Sequence, residues 1–297
     1  MDIAKSERTL AWIWLVLAVV AASTAASLFR LAALPALEAA GLRLLLSGLV
    51  LLPFGALGLR RLGRQEGGAI LLASLALAVH FGAWVESLYL TSVASSVVLV
   101  SASPLFVLLW ELLGRERVSR GQWFGAAIGL AGVVVISFAD SHGQRGALTG
   151  DLLALLGAFA FSVYLRAGRK ARRNLPVLSY VAPVYAIAGA GLLLLQPLVG
   201  HVLWPLGPSA WLMTALLVLG PTLIGHTGFN FALRAVPASS VAMASLLEPL
   251  AAVLIAWPLL HSLPRASDVA GGAMTVIGLM IFVLARAASS SGALGRL

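Results

Sequence analysis

Residues 68–88 read GAILLASLALAVHFGAWVESL, an apolar run whose ionisable side chains are His80 and Glu86 alone. At about 1.5 Å of rise per residue, a helix of this length spans the roughly 30 Å hydrocarbon core of a bilayer. The rest of the chain has the same character. Hydrophobic residues are 60% and charged residues 10% of the 297, against about 45–50% and about 25% in ordinary globular domains. Mean hydropathy is +0.99. So little charge cannot cover so much apolar surface in water, and lipid is the implied solvent. Runs of similar length lie near 9–29, 34–58, 68–88, 93–113, 121–138, 150–168, 176–199, 209–231, 238–259 and 267–285. The expected fold is an all-α membrane protein of ten transmembrane helices.

Charge orients these spans. Lys5 and Arg8, Arg60, Arg61 and Arg64, and Arg115, Arg117 and Arg120 fall in alternate loops. So do Arg166, Arg169, Lys170, Arg172 and Arg173, then Arg234, then Arg286 and Arg296, making 16 of the 20 basic residues. The positive-inside rule places that set, and with it both termini, in the cytoplasm, which an even span count requires. Short basic clusters between apolar runs read as orientation signals, so the net charge of +9 does not imply a nucleic-acid partner. Lys5 and Arg8 before an apolar stretch imitate a signal peptide, but 9–29 is too long for one and reads as a retained first helix. The absence of Cys excludes disulfides and thiolate chemistry.

The chain repeats itself. His80-Phe81-Gly82 recurs as His226-Thr227-Gly228, and Gly125 and Gly132 recur as Gly271 and Gly278, all at a shift of 146 residues. Between them, Ala94-Ser95-Ser96-Val97 matches Ala238-Ser239-Ser240-Val241, and Ser103-Pro104-Leu105 resembles Glu248-Pro249-Leu250, at shifts of 144 and 145. Two five-helix repeats, 1–140 and 141–297, follow. Because five is odd, the second enters the membrane from the opposite side. Inverted repeats of this kind are common in secondary transporters, with the substrate site near the midplane between the halves.

The run TSVASSVVLVSASPLFVLLWELLGRERVSRGQWFGAAIGLAGVVVI (Thr91 to Ile136) resembles the EamA-type repeat of the drug/metabolite transporter superfamily. GDLLALLGAFAFSVYLRAGRK (Gly150 to Lys170) resembles that family's sixth span, and PASSVAMASLLEPLAAVLIAW (Pro237 to Trp257) its ninth. The resemblance implies two EamA-like repeats and a ten-helix exporter of the bacterial inner membrane working by alternating access. Within the superfamily the chain is most similar to amino-acid exporters, with the aromatic amino-acid branch as one candidate. The family often places an acid after both the fourth and ninth spans. Glu116 fills the first place, whereas the second aligns near Ser262, which weakens the symmetry.

Polar groups inside spans are costly and are functional candidates by default. His80 and Trp84 are four residues apart on one helix face, and His226 and Asn230 hold the matching places in the second half. They either line one central cavity or bond neighbouring carbonyls. Pro104 and Pro249, near the middle of the fourth and ninth spans, are candidate hinges that free a carbonyl, or else static kinks. Glu248 can bind a substrate ammonium, exchange a proton, or pair with Asn230 or His226. Arg43 suits a carboxylate, with Glu38 or Glu86 near the outer face as its structural partners; those two acids read as solvated. Tyr164 and Tyr185, with Phe159 and Phe161, form an aromatic wall or ordinary packing. The small-residue fifth and tenth spans read as packing helices, or as the contact of a homodimer.

The substrate-binding set expected from these readings is His80, Trp84, Ser101, Tyr164, Tyr185, His226, Asn230 and Glu248, with Pro104 and Pro249 as hinges. The expected function is export of small amphipathic metabolites, amino acids first, with multidrug or other metabolite export as the alternative. No acid lies in Thr9 to Phe29, which disfavours the cation exchange of small multidrug pumps. Neither H-E-x-x-H nor G-x-S-x-G occurs, so an enzyme is not expected, nor a cofactor or metal. The repeat disfavours a receptor, and a channel would conduct rather than saturate.

Overall fold

The computed structural model describes residues 2–59, 63–139, 148–199, 207–260 and 265–294. Among them every regular element is helical, the form in which a segment in lipid satisfies its own backbone. Nine helical stretches are long and apolar enough to cross a membrane. They are Ser6–Ala32, Ala36–Ala56, Arg64–Leu90, Ser95–Leu113, Leu148–Ala171, Val177–Leu195, Pro208–Ala232, Ala238–Ile255 and Ala266–Ser289, and a shorter apolar helix, Arg120–Ile136, is the fifth in order. They are numbered here as spans 1 to 10. Ser262, Arg60, Arg61, Arg145 and Arg296 lie outside the described residues.

Three spans are broken near their middles, each for a local reason. Span 1 divides into Asp2–Ala22 and Ala25–Ala32, where the Ser23 and Thr24 hydroxyls turn back onto the carbonyls of Val20 (2.7 Å) and Ala21 (2.8 Å). Such back-bonding competes with the helix ladder. Span 4 divides into Val93–Val100 and Ser103–Leu113, and span 9 into Ala238–Ser245 and Glu248–Leu260. Pro104 and Pro249 therefore do not bend continuous helices. Each stands in the first turn of a second half-helix, where a missing N–H costs nothing. Span 8 carries a π-helical stretch, Val218–His226, around Pro221. Within it the Thr222 hydroxyl donates to Leu217 O, five residues back, at 2.9 Å.

The spans pair as a two-fold exchange of halves demands. Span 2 packs on span 7 and span 5 on span 10, while span 3 packs on span 6 and span 1 on span 8. Glycine makes the axial pairs close. A Cβ at Gly48 would overlap the backbone of Ala186, and one at Gly132 the backbone of Gly271. The glycine faces of spans 5 and 10 are thus spent on each other within one chain. A homodimer through these helices would have to use their outer faces, where Val276, Met280 and Leu284 are exposed.

The end of the bundle bearing the basic loops is tied by arginine. Arg286 of span 10 donates through Nη1 to Glu111 of span 4 at 3.0 Å and to Ser239 of span 9 at 2.6 Å. Arg169 donates to the carbonyls of Leu233 and Arg234, and Arg172 through Nε to Asn230 O at 3.0 Å. These cations cap the C-terminal end of span 8, whose last carbonyls lack helical partners. Burial, helped by Arg234, pushes the Arg172 guanidinium down to about 10, so it still carries its charge at neutral pH.

Candidate functional site

The breaks of spans 1, 4 and 9 face spans 3, 6 and 8 around a cavity of about 120 Å³. Span 3 contributes His80 and Trp84, span 6 Phe161, and span 8 His226. Span 9 contributes Ser245, Glu248, Pro249 and Ala252, and span 4 Val97, Val100, Ser101 and Ser103. Span 1 closes the ring with Ala22, Ser23, Ala25 and Ala26. A water needs roughly 10–15 Å³ on this measure, so the cavity offers room for roughly 8–12 such positions, the size of a small metabolite.

Close approach of spans 3 and 6 sets the first histidine. Gly157 has no side chain to hold Trp84 and the His80 backbone away. Its carbonyl receives His80 Nδ1 at 2.9 Å. A carbonyl only accepts, so Nδ1 carries the proton and Nε2 remains for other partners. The ring stacks on Trp84, 6.0 Å between centroids and 8° from parallel. His226 lies 6.3 Å from His80, centroid to centroid, so the two repeat-related histidines do meet. Trp84 Nε1 and His226 Nδ1 are both buried without a hydrogen-bond partner.

Glu248 opens the second half of span 9, at a helix N-terminus whose free N–H groups favour a carboxylate. Val100 and Ser245 end the first half-helices of spans 4 and 9, and both line the cavity. The two halves thus present matching helix C-termini, whose last carbonyls lack intrahelical partners.

Of the ten residues expected from sequence, His80, Trp84, Ser101, His226, Glu248 and Pro249 line the cavity. Tyr164, Tyr185 and Asn230 do not; each is fully buried one layer behind. Asn230 Nδ2 donates to the Tyr164 hydroxyl and to His226 O, and Tyr185 bonds Thr227 at 3.3 Å. They form the support that holds His226. Pro104 also stands outside the lining. Phe161 joins the wall, whereas Phe159 is exposed and packs on Phe106 and Trp110. The span 1 break was not anticipated. Its only sequence signal is the Ser23-Thr24 pair inside an alanine-rich run.

One acid and an arginine depart from expectation. Glu38 is buried, at 1% exposure, not solvated. Arg43, at 0%, pairs with neither Glu38 nor Glu86: its Nε donates to Thr222 Oγ1 at 2.6 Å and its guanidinium carbon lies 4.4 Å from the Phe81 ring centroid. The π stretch of span 8 presents that threonine. Among the described residues, no three His, Cys, Asp or Glu side chains are placed to hold a metal.

Comparisons with known proteins agree with this architecture. A protein of Bacillus subtilis described as the uncharacterized transporter YdfC is 26% identical over 61% of this chain, and the match spans 59% of that protein. The uncharacterized inner membrane transporter YedA of Escherichia coli K12 is 29% identical over 74% of this chain and 72% of its own. A probable terminal-alkyne amino-acid exporter of Streptantibioticus cattleyicolor is 26% identical over 62% of this chain and 61% of its own. One crystal structure shares the fold with a TM-score of 0.79, covering 95% of this chain and 98% of that one at 23% identity. The chain is a multi-pass membrane protein. The pattern of the EamA-like transporter family matches residues 9–138 and again 148–284, and the chain belongs to that family.

Proposed function

We propose that this transporter exports small amphipathic metabolites, most of all amino acids, by alternating access between its two halves, with both termini in the cytoplasm. The observation that carries the reading is the cavity itself. Among the described residues that line it, the carboxylate is Glu248, and it shares the wall with aromatic rings where three broken spans converge. A substrate ammonium would sit against Glu248 and the carbonyl end of the half-helix Ala238–Ser245, and an apolar side chain against Trp84 and Phe161. Discontinuous helices meeting at a midplane site are the form such carriers' binding sites take. The similarity to an amino-acid exporter supports the same class. The mixed aromatic wall makes phenylalanine and tryptophan natural first candidates.

The test is uptake and efflux in proteoliposomes with labelled Phe, Trp, Thr and a lipophilic cation, for the wild-type protein and for His80→Ala and Glu248→Ala. Saturable amino-acid movement lost in both variants is the expected result. Movement of the cation alone, and only under a proton gradient, would replace the reading with drug antiport.

A further inference from the structure

Arg43 is the least expected charge in the molecule. It is fully buried within span 2, and only Nε has a hydrogen-bond partner. Nη1 and Nη2 have none. A guanidinium in a dry interior ordinarily pairs with a carboxylate, because desolvation otherwise goes unanswered. Here an aromatic ring stands over it instead, Phe81 at 4.4 Å, with Phe29 at 5.4 Å. The carboxylate nearest in function is Glu248, in the cavity wall.

Both rings connect Arg43 to the cavity. Phe81 lies 4.7 Å from His80 and 4.9 Å from His226, centroid to centroid, so the guanidinium is one ring away from two cavity residues. Phe29 belongs to the half-helix Ala25–Ala32, which begins at the span 1 break and whose Ala25 and Ala26 line the cavity. Its other aromatic neighbour is Trp84, 5.9 Å away, edge to face. A swing of that half-helix about Ser23 and Thr24 would draw Phe29 off the guanidinium. Unpartnered here are two guanidinium nitrogens and, in the cavity wall, the indole Nε1 of Trp84 and the imidazole Nδ1 of His226. Three of these four only donate, and donors without acceptors call for an anionic ligand group.

We propose that Arg43 is a specificity-determining residue that receives the substrate carboxylate when the Phe29 and Phe81 rings part, while Glu248 receives the ammonium. The cavity then selects a zwitterion over a simple amine or acid. The solute enters with one charge of each sign. The inference rests on the amino-acid reading above and names the residue that reads the acid group.

The test is competition against labelled phenylalanine in proteoliposomes by unlabelled phenylalanine, phenethylamine and 3-phenylpropionate. With the wild-type protein, removing either charge should weaken competition at least tenfold. With Arg43→Met, phenethylamine should compete as well as phenylalanine, and Arg43→Lys should keep most of the preference. The wild-type comparison varies only the ligand, so it stands even where a variant fails to fold. Equal competition by phenylalanine and phenethylamine in the wild type overturns the proposal, as does an unchanged preference in Arg43→Met. If the wild type moves no amino acid at all, the proposed function falls and this inference falls with it; movement with unaltered preference defeats this inference alone.

Discussion

Replacing Gly48 by Ala is expected to destabilise the bundle sharply. A Cβ there would lie 2.7 Å from Ala186 Cα and 2.8 Å from Ala186 Cβ, and would also overlap the Ala186 amide nitrogen. Overpacking a filled interior costs about 1–3 kcal/mol. Backbone cannot swing aside as a side chain can, so about 3 kcal/mol is the fitting figure here. At about 2–4 °C per kcal/mol for a chain of this order of size, Tm should fall by roughly 6–12 °C. Gly67 is the control. It too stands in a helix, but a Cβ there meets nothing within 4 Å. Gly67→Ala should raise stability by about 0.4–1 kcal/mol through the unfolded chain. The assay is thermal unfolding of both variants in one detergent. Gly48→Ala with Ala186→Gly should not recover the loss, because the obstruction is backbone. Recovery in that double variant, or a Tm for Gly48→Ala equal to wild type, would refute the close pairing of spans 2 and 7.

Other perturbations follow from the same geometry. Asn230→Leu leaves the Tyr164 hydroxyl and His226 O without their donor; it should cost about 1–3 kcal/mol in thermal unfolding and weaken substrate affinity by loosening His226. His80→Ala removes the second donor to the Gly157 carbonyl and the ring stacked on Trp84, so transport should drop at least tenfold in proteoliposomes while the protein still elutes as a single folded species. Arg286→Met releases both Glu111 and Ser239; proteolysis at the basic-loop end should become faster, and an unchanged digestion rate would show that this contact does not hold spans 4, 9 and 10 together.

How much of this was legible beforehand differs by element. The spans were, because apolar length is read directly from residues such as 68–88. The meeting of His80 and His226 was too, because an exact two-fold shift places them on opposite walls. The break in span 1 was not. Ser23 and Thr24 are common inside membrane helices, and only their back-bonding to Val20 and Ala21 shows that the ladder stops there. Pro104 and Pro249 marked the right places but suggested kinks, since proline at a half-helix start and proline in mid-helix look alike in sequence. Tyr164, Tyr185 and Asn230 were grouped with the lining because polarity does not distinguish a wall from the layer behind it. Arg43 found Thr222, a partner 179 residues away that no local spacing indicates.

The most direct test of alternating access through this cavity uses the absence of native cysteine. Ser101→Cys places a single thiol in the wall, and an impermeant maleimide is applied to either face of oriented vesicles. The account predicts labelling from each side in turn, with substrate on one face shifting access to the other and slowing modification while bound. Labelling from one side alone under every condition, or from both at once with ion conductance, would contradict it.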